Sequence, residues 1–328
     1  MKKIRVAFAD FWEGFDKTHN YFLDILKEKY EVEVTSDKNK VDYVIYSNFG
    51  YEHLQYNCIR IFYTGENMVP DFNLCDYAIG FEHMEYGDRY IRIPLYVVNY
   101  RDDYKHMLDI RGRIRPREKF CSFVASNNAE ADSMRKDLFD KLSAYRQVDA
   151  GGRYLNNIGE PNGVVDKQVF QEQYRFSMAI ENSSSPGYCT EKIIQAFAAG
   201  TIPIYWGDPK VNEYFNEKAF INCHNYRTID EIVDAVKEIN EDDIRYREML
   251  QQPILEESEK SLQQYDDKFR EWIFHIVEMP LEKAYRRCRY GKQLVYTKQI
   301  ERWMYWEEKY SAFEKKSKLK KILNILFK

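Results

Sequence analysis

Short, almost wholly apolar runs alternate with amphipathic segments over the first hundred residues. The apolar runs are of strand length and lie at residues 4–9, 41–46, 59–63 and 76–81. Between the first two, residues 20–30 carry apolar side chains at helical spacing, whereas residues 31–35 alternate with a period of two. Strands that are joined by helical or loop crossovers predict a largely parallel, doubly wound sheet.

The same alternation starts again after a break over residues 99–118. In the break apolar periodicity is lost, and Lys or Arg occupies every second position from 111 to 119, which is typical of a linker. Beyond the break we expect strands at residues 120–125, 176–180 and 201–206, and helices at residues 131–145, 191–199 and 229–239.

These two alternations predict an α/β protein with two Rossmann-like domains. The first domain spans residues 1–110, residues 111–118 link it to a second domain over 119–278, and residues 279–328 add C-terminal helices and a basic amphipathic tail. A chain of 328 residues is long enough for two such domains, each with its own core. Ligands of these folds bind outside the carboxyl ends of the strands, so we expect a site in a cleft between the two domains.

The charge distribution argues against nucleic acid as a partner, because a surface that follows phosphates should be basic. The net charge is −4, but residues 315–328 hold six lysines and no acidic residue, which leaves −10 on the other 314 residues. In that tail the apolar residues cluster toward one side of a helix and the lysines toward the other. This pattern is typical of peripheral contact with an anionic membrane. A solvated, frayed terminus is the alternative.

The six cysteines offer neither a metal site nor a disulfide framework, since their closest spacing is seventeen residues. Arg5 and Asp10 interrupt any signal-peptide core near the N-terminus. We therefore expect a cytoplasmic protein with reduced thiols.

The segment from Phe176 to Gly207 carries the most chemistry. A predicted strand ends at Glu181, a polar loop follows, and Thr190 is a candidate N-cap for the next helix. The start of a helix at the carboxyl end of a parallel strand binds anions, and Lys192 in the first turn adds a full charge. Glu191 can accept two sugar hydroxyls, so a phosphate beside a sugar fits these residues. By themselves they fit equally an ordinary strand, loop and helix with a solvated Glu and Lys.

Several motifs together closely resemble glycosyltransferase family ten, the α-1,3/4-fucosyltransferases. In the second predicted domain they are Glu181-Asn182-Ser183, Tyr188-x-Thr190-Glu191-Lys192 and residues 200–207. Earlier in the chain they are residues 62–67 with Pro70, residues 76–81, and residues 122–127 with Arg135 downstream. The motifs occur in the order of the family over residues 1–275, and the likeness is greatest to the short bacterial enzymes of the Helicobacter type.

The resemblance implies a GT-B architecture, two facing Rossmann-like domains with parallel sheets, in which the second domain holds GDP-fucose. The residues at the donor positions are Ser126, Arg135, Glu181, Asn182, Tyr188, Glu191 and Lys192. Arg135 and Lys192 would clamp the pyrophosphate, and Tyr188 would assist through its hydroxyl. For Arg135 the alternative is an ordinary arginine on a helix surface. Residues 184–186 depart from the glycine-rich loops that are common in the family.

Transfer from a β-linked nucleotide sugar to an α-linked product inverts the anomeric carbon and needs a base for the attacking hydroxyl. Glu66 matches the proposed catalytic glutamate of the family and follows a predicted strand across a Thr-Gly turn. Weaker candidates on nearby loops are Glu13, Glu52, Glu82 and Glu85. Because no Asp-x-Asp occurs, and adjacent acidic pairs such as Asp102-Asp103 are expected to be solvated, we expect neither a metal nor a cofactor.

On this resemblance the sequence predicts an inverting α-1,3-fucosyltransferase that moves L-fucose from GDP-fucose to a hydroxyl of an N-acetylglucosamine-containing glycan. An acceptor of the N-acetyllactosamine type would give a Lewis x-like product. An acceptor in lipopolysaccharide would give residence at the inner face of the bacterial cytoplasmic membrane a purpose. The alternatives are a transferase of the same architecture that uses another GDP-sugar, and a non-catalytic glycan- or membrane-binding protein.

Overall fold

The chain forms two compact units in the computed structural model. The model describes residues 1–113, 115–126, 128–288 and 290–326, without the side chains of residues 311, 312 and 314–326. The first unit comprises residues 1–79, 86–91 and 270–328, and the second comprises residues 80–85 and 92–269.

Each unit is built around a sheet of parallel strands. The strands of the first sheet are β1 (Lys3–Ala9), β2 (Glu31–Val34), β3 (Tyr43–Tyr46), β4 (Ile59–Tyr63), β5 (Tyr77–Gly80) and β6 (Tyr90–Arg92), in the order β2-β1-β3-β4-β5-β6. The strands of the second sheet are β7 (Lys119–Phe123), β8 (Val148–Ala150), β9 (Tyr174–Ile180), β10 (Ile202–Trp206) and β11 (Ile221–Asn222), in the order β11-β10-β9-β7-β8. Strands β3 and β4 are wholly buried, as parallel strands covered on both faces must be.

The helices connect and flank these strands. They are α1 (Tyr21–Lys27), α2 (Leu95–Asn99), α3 (Arg101–Ile110), α4 (Met134–Tyr145), α5 (Lys167–Gln171), α6 (Glu191–Ala198), α7 (Ile229–Glu241), α8 (Asp243–Gln251), α9 (Leu262–Glu278), α10 (Leu281–Ala284) and α11 (Gly291–Leu326). Short 3₁₀ turns lie at Glu52–Gln55, Val211–Glu213, Glu217–Ala219 and Cys223–Asn225.

Local sequence explains where several helices begin. The side chains of Asn20, Asp166, Thr228 and Asp242 accept hydrogen bonds from backbone N–H groups in the first turns of α1, α5, α7 and α8. The core of the second unit packs apolar residues of α4, α7 and α8 against its sheet, and α6 packs on β9 and β10. Because β7, β9 and β10 are adjacent and parallel, their carboxyl ends form one edge of this sheet.

The strands and helices predicted from apolar periodicity are present, with their ends shifted by a few residues. The predicted break over residues 99–118 is wrong in its first half, because residues 101–110 form the helix α3. Only Tyr104 and Met107 of α3 are buried, and six of its ten residues are charged or histidine, so the helical signal is weak. Strands β6, β8 and β11 were too short, at two or three residues, to show a period.

The compact units follow boundaries other than those of the predicted domains. Residues 92–110 belong to the second unit, where α3 packs on α6. Residues 270–278 belong to the first unit, where the ring of Phe274 lies edge-on to Tyr30, with centroids 5.4 Å apart. Tertiary packing determines to which unit these segments belong. The composition of the sequence around a linker does not reveal that packing.

The predicted tail, residues 315–328, continues α11 as far as Leu326. Its side chains and residues 327 and 328 lie outside the described residues, so its amphipathic character stays a prediction. Within the part of the chain that the structure describes, no helix combines the length and the apolar character needed to cross a membrane.

A buried ion pair attaches the segment after α10 to the first sheet. The carboxylate of Asp76 is fully buried and accepts hydrogen bonds from the backbone N–H groups of Arg60 and Arg287, at 2.8 and 2.9 Å, and from Nε of Arg287, at 2.9 Å. Nη2 of Arg287 donates to the carbonyl of Cys58 at 2.7 Å. The charges of Asp76 and Arg287 neutralise each other inside the fold, so removing one partner leaves the other buried and unpaired.

We expect Arg287→Met to lower the free energy of unfolding by about 3–5 kcal/mol, because it strands the Asp76 carboxylate. Arg286→Met is the matched control. Arg286 is 34% exposed and pairs with Asp88, so its loss should cost at most about 1 kcal/mol. Urea unfolding of both variants measures the difference, and equal losses would contradict the assignment.

Candidate active site

The carboxylate of Glu181 organises the carboxyl edge of the second sheet. Glu181 directly follows β9, and its side chain is fully buried. It accepts hydrogen bonds from the backbone N–H and the hydroxyl of Thr190, at 2.7–2.8 Å, and from Nζ of Lys192, at 2.7 Å. Thr190 stands at the predicted N-cap position, but its hydroxyl is donated to Glu181 instead of capping the helix. Glu181 therefore fixes the start of α6, and its oxygens are already used inside the protein.

The first turn of α6 carries two charged side chains that stay ionised. Lys192 Nζ also donates to Thr190 Oγ1 at 3.1 Å and lies 3.8 Å from the Glu191 carboxylate. Burial alone would lower the pKa of Lys192, but Glu181 and Glu191 raise it above 10.5. Burial alone would raise the pKa of Glu191, but Lys192 and Lys167 bring it below 4.5.

These pKa shifts set the pH range over which Lys192 and Glu191 contribute to the stability of the fold. The contribution of Lys192 to stability is present below pH 10.5 and is lost as the pH rises through its higher folded-state pKa. The contribution of Glu191 is present above pH 4.5 and is lost as the pH falls through its lower folded-state pKa. Both side chains are therefore charged at neutral pH. Glu191 is 24% exposed and Lys192 18% exposed, so each can still reach a ligand.

A second lysine, Lys167, joins this group and was missed by the sequence analysis. It begins α5, and its Nζ donates to Oε1 of Gln195 in α6 at 2.6 Å. Gln195 in turn donates to Asp103 Oδ2 at 2.8 Å, so the expectation that the Asp102-Asp103 pair is solvated is wrong for Asp103. Burial lowers the pKa of Lys167. A lysine after the N-cap of a five-residue helix gives no sequence signal for this position.

Arg135 ties α4 to the end of β9. Arg135 is 2% exposed, and its guanidinium donates from Nε and Nη2 to the carbonyl of Ile180, at 3.2 and 3.1 Å, and from Nη2 to Oδ1 of Asn182. Burial lowers the pKa of Arg135, while the nearby Glu181 and Tyr188 oppose that shift. The alternative of a helix-surface arginine is therefore wrong. Arg135 orients Asn182, whose side chain is half-buried at the sheet edge.

The loop between Asn182 and Thr190 is held closely by its surroundings. Ser184 donates to the carbonyl of Gly207 at 2.6 Å, and the buried ring of Tyr188 lies 5.2 Å from that of Phe81. Gly187 has φ +91°, and a Cβ there would lie 2.2 Å from the carbonyl oxygen of Phe81. Only glycine fits this approach.

A buried carboxylate at the end of β10 was also missed. Asp208 accepts from the backbone N–H of Lys210 at 2.8 Å, and its own N–H donates to the Tyr205 hydroxyl at 2.9 Å. Its Oδ2 has no hydrogen-bond partner among the residues that the structure describes. Burial raises the pKa of Asp208.

The structure thus brings most of the predicted donor residues together around the start of α6. Ser126 lies three residues beyond β7, the neighbour of β9, and is exposed. Glu66 belongs to the first unit, where it follows β4 and is exposed; its backbone N–H donates to Thr64 Oγ1 at 3.0 Å. The roles of these residues stay predictions. No group of three or more metal-ligating side chains is found within the described ranges.

Comparison with known proteins defines the class and then the family. A crystal structure of an alpha1,3-fucosyltransferase matches with a TM-score of 0.74 and 29% identity, over 88% of this chain and 93% of that chain. Its complex with GDP-fucose matches with a TM-score of 0.72 and 29% identity, over 85% and 92% of the two chains. With two Rossmann-like parallel-sheet units, the architecture is GT-B.

The family follows from the sequence models. The Alpha-(1,3)-fucosyltransferase FucT N-terminal domain matches residues 6–99, and the Glycosyltransferase family 10 (fucosyltransferase) C-term matches residues 114–271. The Alpha-(1,3)-fucosyltransferase FucT of Helicobacter pylori is 32% identical over 290 residues, which are 75% of this chain and 59% of that protein. The chain therefore spans about three fifths of the length of that relative. It belongs to glycosyltransferase family 10.

Substitution of Gly187 tests the close approach in the loop. We expect Gly187→Ala to combine a left-handed backbone penalty of about 1–2 kcal/mol with a clash against Phe81 that costs at least about 1 kcal/mol more. Gly159→Ala is the matched control, since Gly159 has φ +81° and nothing within 4 Å of a Cβ. Urea unfolding compares the two, and an equal loss of stability would contradict the contact with Phe81.

Proposed function

We propose that this chain is an inverting α-1,3-fucosyltransferase that moves L-fucose from GDP-fucose to a hydroxyl of an N-acetylglucosamine-containing glycan. The observation that carries the proposal is the buried Glu181–Thr190–Lys192 cluster, which holds Lys192 and the first-turn N–H groups of α6 at the carboxyl edge of the second sheet. The family membership and the likeness to a structure with GDP-fucose support the choice of donor.

The donor would bind around the start of α6. Developing negative charge on the departing pyrophosphate would be stabilised by Lys192 and by the N–H groups of the first turn. Arg135 would act by holding Asn182 and the end of β9, since its own guanidinium is buried. The ionised Glu191 is able to accept hydroxyls of the ribose or fucose, and Tyr188 and Ser126 complete the predicted donor set.

Glu66 would act as the base. The acceptor oxygen forms a bond to the anomeric carbon of fucose while the bond to the phosphate oxygen breaks, GDP leaves, and the hydroxyl proton passes to the carboxylate. Exposure of Glu66 beside the end of β4 supports this role, because a base must reach an incoming hydroxyl. Among the weaker candidates, Glu52 forms an ion pair with Lys38 at 2.9 Å, and the carboxylate of Glu82 accepts a hydrogen bond from the side chain of Ser185.

The finer assignments are part of the same proposal. The acceptor would be of the N-acetyllactosamine type, with a Lewis x-like product, and a lipopolysaccharide acceptor would suit a cytoplasmic enzyme held peripherally at the inner membrane face by residues 315–328. The second candidate is a transferase that uses another GDP-sugar, and a panel of nucleotide sugars assayed for GDP release separates the two. A non-catalytic binding protein would release no GDP from any donor.

Glu66→Gln tests the base. The amide cannot take the proton, so we expect the transfer rate to fall by about 10²-fold or more while GDP-fucose still binds with wild-type affinity. Glu13→Gln and Glu52→Gln, at the weaker candidate positions, should retain most of the transfer rate. Near-normal turnover of the Glu66 variant would rule out this base.

Metal removal tests whether Lys192 and the start of α6 form a metal-free clamp for the pyrophosphate. We expect fucose transfer to N-acetyllactosamine to persist in EDTA, because Lys192 and the helix start would neutralise the pyrophosphate without a divalent ion. Lacto-N-biose serves as the acceptor control for the linkage, and mass and linkage analysis identifies the product. If EDTA stops transfer and magnesium or manganese restores it, the metal-free clamp is wrong.

A further inference from the structure

Aromatic side chains gather at the carboxyl edge of the first sheet. Phe11, Trp12 and Phe15 follow β1, and Phe49 follows β3. Tyr63 is the last residue of β4, the strand that leads to Glu66. Since β1, β3 and β4 are neighbours in one parallel sheet, their carboxyl ends bring these rings to the same edge.

The rings form a continuous stack from the core to the surface. Phe11 and Phe15 are stacked with their centroids 3.9 Å apart, and Phe11 also lies 6.3 Å from the buried Tyr63. Trp12 meets Phe15 edge-on at 5.2 Å and Phe49 edge-on at 6.4 Å. The outer pair, Trp12 and Phe49, therefore rests on rings that are anchored in the core.

The outer pair remains open to solvent. Phe49 is 50% exposed, and Trp12 is half-buried. Rings held by packing on one side and open on the other can offer a flat apolar face at little cost in conformational entropy. A pyranose ring has an apolar face of C–H bonds that such a surface covers.

A chain of hydrogen bonds joins this surface to Glu66. Phe49 N–H donates to the carbonyl of Asp10 at 2.9 Å, at the end of β1. The neighbouring Asn48 accepts through Oδ1 from the hydroxyl of Thr64 at 2.7 Å, and Thr64 Oγ1 accepts the backbone N–H of Glu66 at 3.0 Å. The loop that carries Phe49 and the turn that carries Glu66 are thus fixed relative to each other.

Asp10 holds the same loop from the other side. Its backbone is left-handed, with φ +56°, and its carboxylate accepts the N–H groups of Glu52 and His53 at 2.8 and 2.9 Å and the His53 ring Nδ1 at 2.7 Å. The ring of His53 is buried and stacks on Tyr46, with centroids 3.8 Å apart. Strain of this kind in a residue with three hydrogen-bonded partners indicates a loop held in one conformation.

We propose that Trp12 and Phe49 form a stacking surface for a hexose ring of the acceptor glycan, beside the hydroxyl that Glu66 deprotonates. The inference rests on the proposed function for its reaction and on the aromatic stack for its location. It assigns part of the acceptor selectivity to Trp12 and Phe49. Asp10 is a positioning residue in this arrangement, since it acts through the loop that carries Phe49.

Trp12→Ala and Phe49→Ala test the surface. Each removes one apolar face, so the KM for N-acetyllactosamine should rise about tenfold while the KM for GDP-fucose stays within about twofold. Trp12→Phe and Phe49→Tyr keep a ring and should restore most of the acceptor affinity. Trp306→Ala is the matched control, because Trp306 is 65% exposed on α11 of the same unit and should leave both constants unchanged.

Direct titration of the proteins with N-acetyllactosamine in the presence of GDP separates this inference from the proposed function. Suppose that the wild-type protein transfers no fucose but binds the disaccharide, and that the alanine variants bind it about tenfold more weakly. The stacking surface is then supported, and the proposed function is wrong. Acceptor binding and KM unchanged in both alanine variants overturn the surface. An equal rise of the donor and acceptor constants in the alanine variants, with recovery in neither ring-keeping variant, overturns it as well.

Discussion

The candidate donor site depends on one buried interaction, the carboxylate of Glu181 with Thr190 and Lys192. A fully buried carboxylate is tolerated only when several donors satisfy it, and here the donors come from the first turn of α6 and the residue before it. The interaction therefore fixes the end of β9 against the start of the helix. It also holds Lys192 in place and, through that lysine, keeps Glu191 ionised.

The two units present functional groups in different ways. In the second unit, charged side chains are buried and paired with one another, so the site is organised before any ligand arrives and little ordering is left for the binding step. In the first unit, the carboxylate of Glu66 and the outer ring of Phe49 are exposed, while hydrogen bonds to backbone and side-chain atoms fix the loops beneath them. Exposed groups on fixed loops would suit the proposed recognition of a glycan acceptor.

Sequence reasoning found elements whose signal lies in consecutive residues. The buried runs that became β3, β4 and β9 are uniformly apolar, and the polar stretch after β9 is compact enough to be recognised as one motif. The helix α3 was not predicted, because its only buried side chains are Tyr104 and Met107. Lys167 was not predicted either, because its partner Gln195 lies 28 residues further along the chain. In both cases the residues that make the contact lie in distant parts of the sequence.

The α/β class, the two parallel sheets and most of the residues around the start of α6 could be predicted from the sequence, because strand periodicity and short motifs are properties of neighbouring positions. The burial of Arg135, the pairing of Glu181 with the start of α6, and the contact between Trp12 and Phe49 could not be predicted from neighbouring positions. The physical reason is that burial and pairing depend on which strands are adjacent. Adjacency in a parallel sheet is set by crossovers and packing between segments that are far apart in sequence.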